Sequence, residues 1–398
     1  MRVRWLSFFA LVLACGDEAA APSVDGGVAV PDGSAALDAG DASATDGGTA
    51  ACASLVTTPM DRTKAPALTV NGDPGAIEGL FDPSLVFPAG APGGAMAYSA
   101  VQSESDIRTR IAVSADDGAS FTYVGGANAS GPLSVQSTDT SLCPSGTCVG
   151  RDIVEVPSLV FDPDDPDATR RWKLFAHRYL VLPGTPAVLL RQYGYIALYT
   201  ASVVQGPYAE HPKKALGWLS TSPFSSENAA NLGASLGLGD CVAFTEPSAL
   251  VVPGKSLELA LGCVYADASS YKIRVELLRS VDHGSTFARV ATLLRPEGAS
   301  CLQRGAAQVN APELHVAAGK VYLTVSPALA NQGYAGCGVF EVTDLGNGLV
   351  APEPRRAFVR PDNGFIGACA YSETTGYLVP MLAVGRSFGI YRSGVLLP

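Results

Sequence analysis

Four times along the chain an apolar strand opens on a proline, and the residues directly before those prolines are Asp82, Val156, Glu246 and Ala311. Two of the four are carboxylates. Brought to one mouth of a shared funnel, such a pair can do what cleavage of a glycosidic bond requires, one acting as base or nucleophile and the other, with raised pKa, as acid. Proline restricts its predecessor to extended backbone, which predicts a fixed direction for these side chains. Glu78, Arg151, Asp152, Glu155, Asn310 and Arg386 fall near the same strand starts or loop ends and are candidates to bind sugar hydroxyls. The competing reading is plain: Asp-Pro and Glu-Pro are ordinary turn dipeptides, and such side chains also cap loop amides.

The elements that would position these residues form a repeat. Its opening strands read Asp82-Pro83-Ser84-Leu85-Val86-Phe87, Val156-Pro157-Ser158-Leu159-Val160-Phe161, Glu246-Pro247-Ser248-Ala249-Leu250-Val251 and Ala311-Pro312-Glu313-Leu314-His315-Val316, with prolines 74, 90 and 65 residues apart. A second strand follows each (Ala95–Val101, Trp172–Leu180, Leu257–Tyr265, Lys320–Ser326), then a third (Arg108–Ser114, Tyr195–Ser202, Lys272–Ser280, Gly338–Thr343). A fifth copy without the proline is read in 367–372, 377–384 and 388–393. Units of this size and content are propeller blades, because each sheet covers its faces only by stacking on its neighbours. The prediction is an all-β, five-bladed β-propeller. The last copy ends at its third strand, so Pro66–Val70 is expected to supply its outer strand and close the ring. A six-bladed, sialidase-like propeller is the alternative, and a β-sandwich of repeated hairpins a weaker one.

Two third strands run into Ser114-Ala115-Asp116-Asp117-Gly118-Ala119-Ser120-Phe121 and Ser280-Val281-Asp282-His283-Gly284-Ser285-Thr286-Phe287. Both resemble the Asp-box of sialidases and other propellers, a folding turn in which Asp accepts from turn amides, Gly takes positive φ and the aromatic plugs the blade. His283 holds a variable turn position and is expected to be solvent-exposed. The second unit carries Ser202-Val203-Val204-Gln205-Gly206-Pro207-Tyr208 in the same place, similar to the strand turn of five-bladed glycoside hydrolases of families 43 and 32. That resemblance covers residues 76–398 in pattern. It implies that Asp82 is the base or nucleophile and Glu246 the general acid. Family 43 also carries a second-blade Asp that orients the acid; Val156 stands there, with Asp152 and Glu155 nearby. Sialidase chemistry needs three arginines on one carboxylate, and Arg108, Arg110, Arg151, Arg274 and Arg304 show no spacing that gathers them.

Elsewhere the sequence speaks to location. Arg2 and Arg4 precede the apolar run from Trp5 to Ala14, too short for a membrane-spanning helix and suited to an export signal. The ending Val12-Leu13-Ala14-Cys15 resembles the lipobox of bacterial lipoproteins, which implies lipidation of Cys15 and an outer-membrane, cell-surface or periplasmic location in a Gram-negative bacterium. Residues 15–50 read as a disordered acidic linker rich in Ala, Gly and Asp, with seven acids and no Lys or Arg after Cys15. The expected domains are therefore a signal at 1–14, a linker at 15–50 and a propeller at 51–398. Without the signal and linker, 25 basic and 30 acidic groups remain, a net of -5. No basic surface is concentrated in the chain, which excludes a nucleic-acid partner.

If Cys15 carries lipid, eight of the nine cysteines remain, an even count that fits disulfides in an oxidising compartment. Cys143 with Cys148, Cys241 with Cys263 and Cys301 with Cys337 are the suggested pairs, leaving Cys52 with Cys369; spacing alone does not fix this connectivity. No metal site and no cofactor are expected, and a structural calcium ion in the channel would leave no sequence mark. The partner expected is a carbohydrate or glycoconjugate bound by a monomer, with the membrane reached only through the lipid. Two functions follow from different classes: a glycoside hydrolase-like enzyme, or a non-catalytic surface propeller that binds glycan or protein. Sialidase activity ranks behind both.

Overall fold

The structure, a computed structural model, describes residues 55–397 except 91–92, 104, 128–131, 137–144, 183–187, 212–215, 220–229, 232, 268–269, 330–332, 363 and 383–386. The signal, the linker, Cys15, Cys52, Cys143, Arg386 and the side chain of Cys148 lie outside the described residues. Among those described, the helical elements are three short 3-10 turns and the rest of the regular structure is β.

Each repeated unit is a meander of three antiparallel strands. The first comprises Gly79–Val86, Gly94–Ser103 and Asp106–Ser114; the second Thr147–Phe161, Trp172–Leu182 and Val188–Ala201. Cys241–Val252, Ser256–Asp267 and Ser270–Ser280 form the third, and Gln308–Ala317, Lys320–Ala328 and Cys337–Asp344 the fourth. The Pro-less copy forms as Ala370–Ser372, Gly376–Leu382 and Phe388–Arg392. Middle strands are buried almost end to end, as in Gly94–Ser103 and Gly376–Leu382. Such strands read as continuous apolar runs because both faces are covered. Outer strands such as Ala288–Leu294 are partly exposed at one end and alternate less cleanly.

The core lies between units. Ala97, Leu159, Leu174 and Ala197 pack the first unit on the second, Phe175, Leu198, Leu259 and Leu278 the second on the third, and Leu277, Leu314, Leu323 and Phe340 the third on the fourth. Val339, Phe358, Tyr377 and Met381 join the fourth to the last, whose Leu378 and Ile390 pack in turn on Met96 and Tyr98 of the first. Truncating one such fully buried Leu to Ala costs about 2–5 kcal/mol. Third strands also meet the next first strand by parallel bridges at Arg108 with Val154, Ile273 with Gln308 and Phe388 with Gly79, and just before the corresponding strands of the fourth and last units Ala335 bridges Ile366.

The segment before the first unit crosses the seam. Val56–Pro59 pairs in parallel with Arg356–Val359, Ala67 bridges Tyr391, and Val70–Asn71 pairs with Phe121 and Thr122. The Leu68 amide donates to the Ile390 carbonyl at 2.7 Å and the Arg392 amide to Pro66 at 2.9 Å, so residues 66–68 run beside the third strand of the last unit as expected, joined by an isolated bridge rather than a full strand, while Val70 pairs with the first unit.

Disulfides need correction. Cys241 bonds Cys263 as expected. Cys337, however, bonds Cys369, so neither Cys301–Cys337 nor Cys52–Cys369 forms; Cys301 is itself disulfide-bonded. Cys337 opens a third strand and Cys369 precedes the following unit's inner strand, which are neighbours across a unit boundary.

Candidate functional site

The residues before the prolines do not adopt extended backbone. Asp82, Val156, Glu246 and Ala311 have φ of 46°, 51°, 50° and 47°, and Ala368 in the Pro-less copy has 56°. Strand register gives the reason. Between Phe81 and Ser84 the inner strand advances three residues while its partner advances two, from Ser99 to Ala97; the same slip falls between Glu155 and Ser158, Thr245 and Ser248, and Asn310 and Glu313. Each of these four units therefore carries a β-bulge that bends its inner strand. Proline closes the right-handed helical region to its predecessor, and the bulge takes it out of the extended one, leaving positive φ. For a non-glycine residue that costs about 1–2 kcal/mol, accepted even at the β-branched Val156.

The kinks are stitched to one another. Ser84, Ser158 and Ser248, each directly after the proline, accept through Oγ from the amides of Leu159, Ala249 and Leu314 in the next unit, at 3.0, 2.8 and 2.8 Å. Ser99 Oγ accepts from Val156 N at 3.1 Å, and Ser326 Oγ from Ala368 N at 2.8 Å. His177 Nδ1 lies 3.4 Å from Thr245 Oγ1. In the fourth unit Glu313 replaces the serine and accepts from Ser248 Oγ at 3.1 Å; burial pushes its carboxyl up to about 8.

Asp82 and Glu246 thus occupy one backbone position in the first and third units, and they are buried to 7% and 5% exposure. Tyr334 Oη lies 2.6 and 2.8 Å from the two Glu246 carboxylate oxygens, and Asn310 Nδ2 donates to Tyr334 Oη at 3.1 Å. Asn310, proposed from sequence, therefore belongs with Glu246, through a tyrosine that the sequence reading did not single out. Tyr334 sits between the second and third strands of its unit, where no periodicity marks it. Beside Asp82, the Phe81 ring packs on Phe365 and Phe388, at centroid distances of 5.4 and 4.9 Å. Glu155 is buried across the strand pair from His177, whose ring lies 4.9 Å from that of Tyr179.

Other candidates are occupied elsewhere. Asp152 accepts from Arg178 Nε at 3.0 Å and Nη2 at 2.6 Å, while Arg178 also binds Glu210 and Tyr195. Burial pushes the Asp152 carboxyl up, with Arg178 pulling the other way. Arg151 is half-exposed and pairs with Asp106 at 3.2 Å, the acid that also takes Arg108. Arg110 pairs with Asp73, and Arg274 with Asp240 and Glu276. Four of the five arginines weighed for sialidase chemistry thus already face carboxylates of the protein. Glu78 is partly buried on the approach to the first inner strand.

At the opposite end of the units, the two Ser-x-Asp-x-Gly turns match bond for bond. Ser114 and Ser280 accept from Gly118 and Gly284, and Asp116 and Asp282 accept from the amides and hydroxyls of Ser120 and Thr286. His283 departs from expectation: it is partly buried, at φ 59°, with Nδ1 2.9 Å from Asp162 Oδ2. It borders a 280 Å³ cavity with Asp162, Asp164, Lys255, Ser256 and Ser280. Asp162, Asp165 and His283 converge closely enough to hold a metal ion, but the buried Lys173 ammonium lies 2.5 Å from Asp165 and 3.7 Å from Asp162 and supplies the compensating charge. A second convergence, Asp240 with Cys241 and Cys263, offers a disulfide in place of thiolates.

No protein-family model matches the chain, and no curated protein matches it. Among solved structures it is similar to a glycoside hydrolase, at 12% identity and TM-score 0.50 over 84% of this chain and 94% of the other. An endo-arabinase from Bacteroides thetaiotaomicron matches at 11% identity and TM-score 0.48, over 83% of this chain and 98% of that one. A family-43 arabinoxylan arabinofuranohydrolase from Bacillus subtilis, in complex with cellotetraose, matches at 14% and 0.48, over 82% and 66%. The first of these likenesses speaks to the fold, a curled all-β architecture of the propeller type.

Proposed function

We propose that the chain is an exported, lipid-anchored, five-bladed propeller that acts on carbohydrate as a glycoside hydrolase-like enzyme. Asp82 is the base or nucleophile and Glu246 the acid. The observation that carries this reading is the recurrence of one strained backbone position in which two units hold a carboxylate, both buried. Strain kept at such positions is a reason to look for function there. Two carboxylates at equivalent kinks are the residue types that acid and base chemistry at a glycosidic bond calls for, and their separation would decide between retention and inversion. Five blades are supported by the five kinks, by the core between successive units and by the Pro66 and Leu68 hydrogen bonds to the last unit. Export and lipidation are supported by the Arg2-to-Cys15 segment and by disulfides suited to an oxidising compartment.

The chemistry asks little of the rest of the chain: Asp82 takes the proton of water or attacks the anomeric carbon, and Glu246 gives its proton to the leaving oxygen. A second reading, a non-catalytic monomeric propeller that binds glycan or protein, draws on Val156, Ala311 and Ala368 at the other kinks and on the internal hydrogen bond of Glu246. Turnover of a panel of glycosides and polysaccharides by the purified chain, beside D82N and E246Q, separates them. Hydrolysis lost in both amides supports the enzyme; sugar binding with no hydrolysis by any form supports the second reading.

A further inference from the structure

The partners of Glu246 have a fixed order. Asn310 Nδ2 can only donate, so the Tyr334 oxygen accepts at 3.1 Å and its single proton is left for the Glu246 carboxylate. Asn310 is 4% exposed, and its Oδ1 faces Gly262 with no hydrogen-bond partner among the described residues, so its contact with Tyr334 is the polar bond that the amide makes there. Tyr334 is 1% exposed and its ring packs on Phe365 at 5.5 Å, so the phenol has little freedom to turn away.

We propose that Tyr334, oriented by Asn310, is the positioning residue of Glu246: its hydroxyl fixes the carboxylate in one rotamer and sets how readily it holds a proton. The proposal rests on the reading of Glu246 as the acid only for its kinetic consequence. A donor to a carboxylate favours the charged form. Removing it, with the ring kept, makes the proton harder to lose. Among the described residues, ionisable groups on the strands around Glu246 include His177 beside Thr245, Glu155 across from His177, and Glu313 beside Ser248. All three are unchanged by substitution at 334, so a difference between forms reads the phenol.

The experiment is Tyr334→Phe in the full chain, with the Glu246 titration followed by carboxyl-carbon NMR and the pH–rate profile measured on any sugar the wild type turns over. Loss of one charge-assisted hydrogen bond moves the Glu246 midpoint up by about one to two pH units. The alkaline limb of the rate profile moves up with it and the acidic limb stays. Asn310→Ala, which removes only the polarisation of the phenol, moves the midpoint the same way by a few tenths of a unit and serves if the first variant does not fold. An unmoved midpoint in the folded variants overturns the proposal, as does a rate lowered equally at every pH. A moved midpoint in a protein with no turnover on any sugar upholds the Tyr334 role and counts against the glycosidase reading instead.

Discussion

Lys173 offers the sharpest test of how the far end of the second unit is held. Its side chain is fully buried, donates to Asp165 at 2.5 Å and to the Arg170 carbonyl at 2.9 Å, and lies 3.7 Å from Asp162. Asp165 and Asp162 are themselves 2% and 3% exposed. Lys173→Met keeps the stem and removes the ammonium, leaving two enclosed carboxylates whose remaining cationic neighbours among the described residues are Arg170 at 4.0 Å and His283 at 2.9 Å, beside the amides of Asp167 and Asp164. Breaking one side of a buried ion pair costs about 3–5 kcal/mol, and that loss is expected at pH 7 in equilibrium urea unfolding followed through the adjacent Trp172. The pH dependence gives the sign. Burial pushes the Asp165 carboxyl up, but Lys173 and the neighbouring donors outweigh it and hold it below its ordinary 3.8. Its stabilisation is therefore present above about pH 4 and lost as pH falls through the folded value, so the gap between wild type and variant narrows in acid. Asp165→Asn added to the variant should recover part of the loss. A penalty below about 1 kcal/mol at pH 7, or one equally large in acid, would refute the reasoning.

Two further outcomes follow from the same physics. Val156→Gly is expected to stay within about 1 kcal/mol of wild type, because relief of left-handed strain of about 1–2 kcal/mol offsets the glycine entropy cost of about 0.5–1; thermal unfolding checks this, and a loss above about 3 kcal/mol would mean that the kink stores no strain. Glu313 has its carboxyl raised to about 8 from 4.5 by burial, so the wild type should lose stability as pH rises between those values. Glu313→Gln should flatten that slope in melting temperatures taken from pH 5 to 9, and an unchanged slope would contradict the assignment.

Much of the fold was legible because the repeat is carried by local chemistry. A proline in four of the five inner strands, an apolar middle strand and Gly-containing turns recur, although those strands begin four to ten residues before the proline rather than at it, and Pro66–Val70 could be placed by asking which segment completes the last unit. The kinks were legible in position but not in conformation: the restriction by proline is local, whereas the bulge arises from pairing with the second strand. Cysteine pairing failed at Cys337 because spacing within a unit was weighed and adjacency across the unit boundary was not. For the site, Asp82, Glu246 and Asn310 were named from sequence, and the recurring Pro-Ser of Ser84, Ser158 and Ser248 was visible without its role in bonding the next unit. Tyr334 left no signal, since it reaches Glu246 from 88 residues away through the fold alone.

The central claim is that the carboxylates at two equivalent kinks do chemistry on sugar. It is tested most directly by product analysis of glycoside and polysaccharide digests with the wild type, D82N and E246Q, each confirmed folded by its melting curve. The account predicts released sugar from the wild type and loss of about two or more orders of magnitude in rate from each amide variant. Full activity in both folded variants, or no product from the wild type on any sugar it binds, would contradict it.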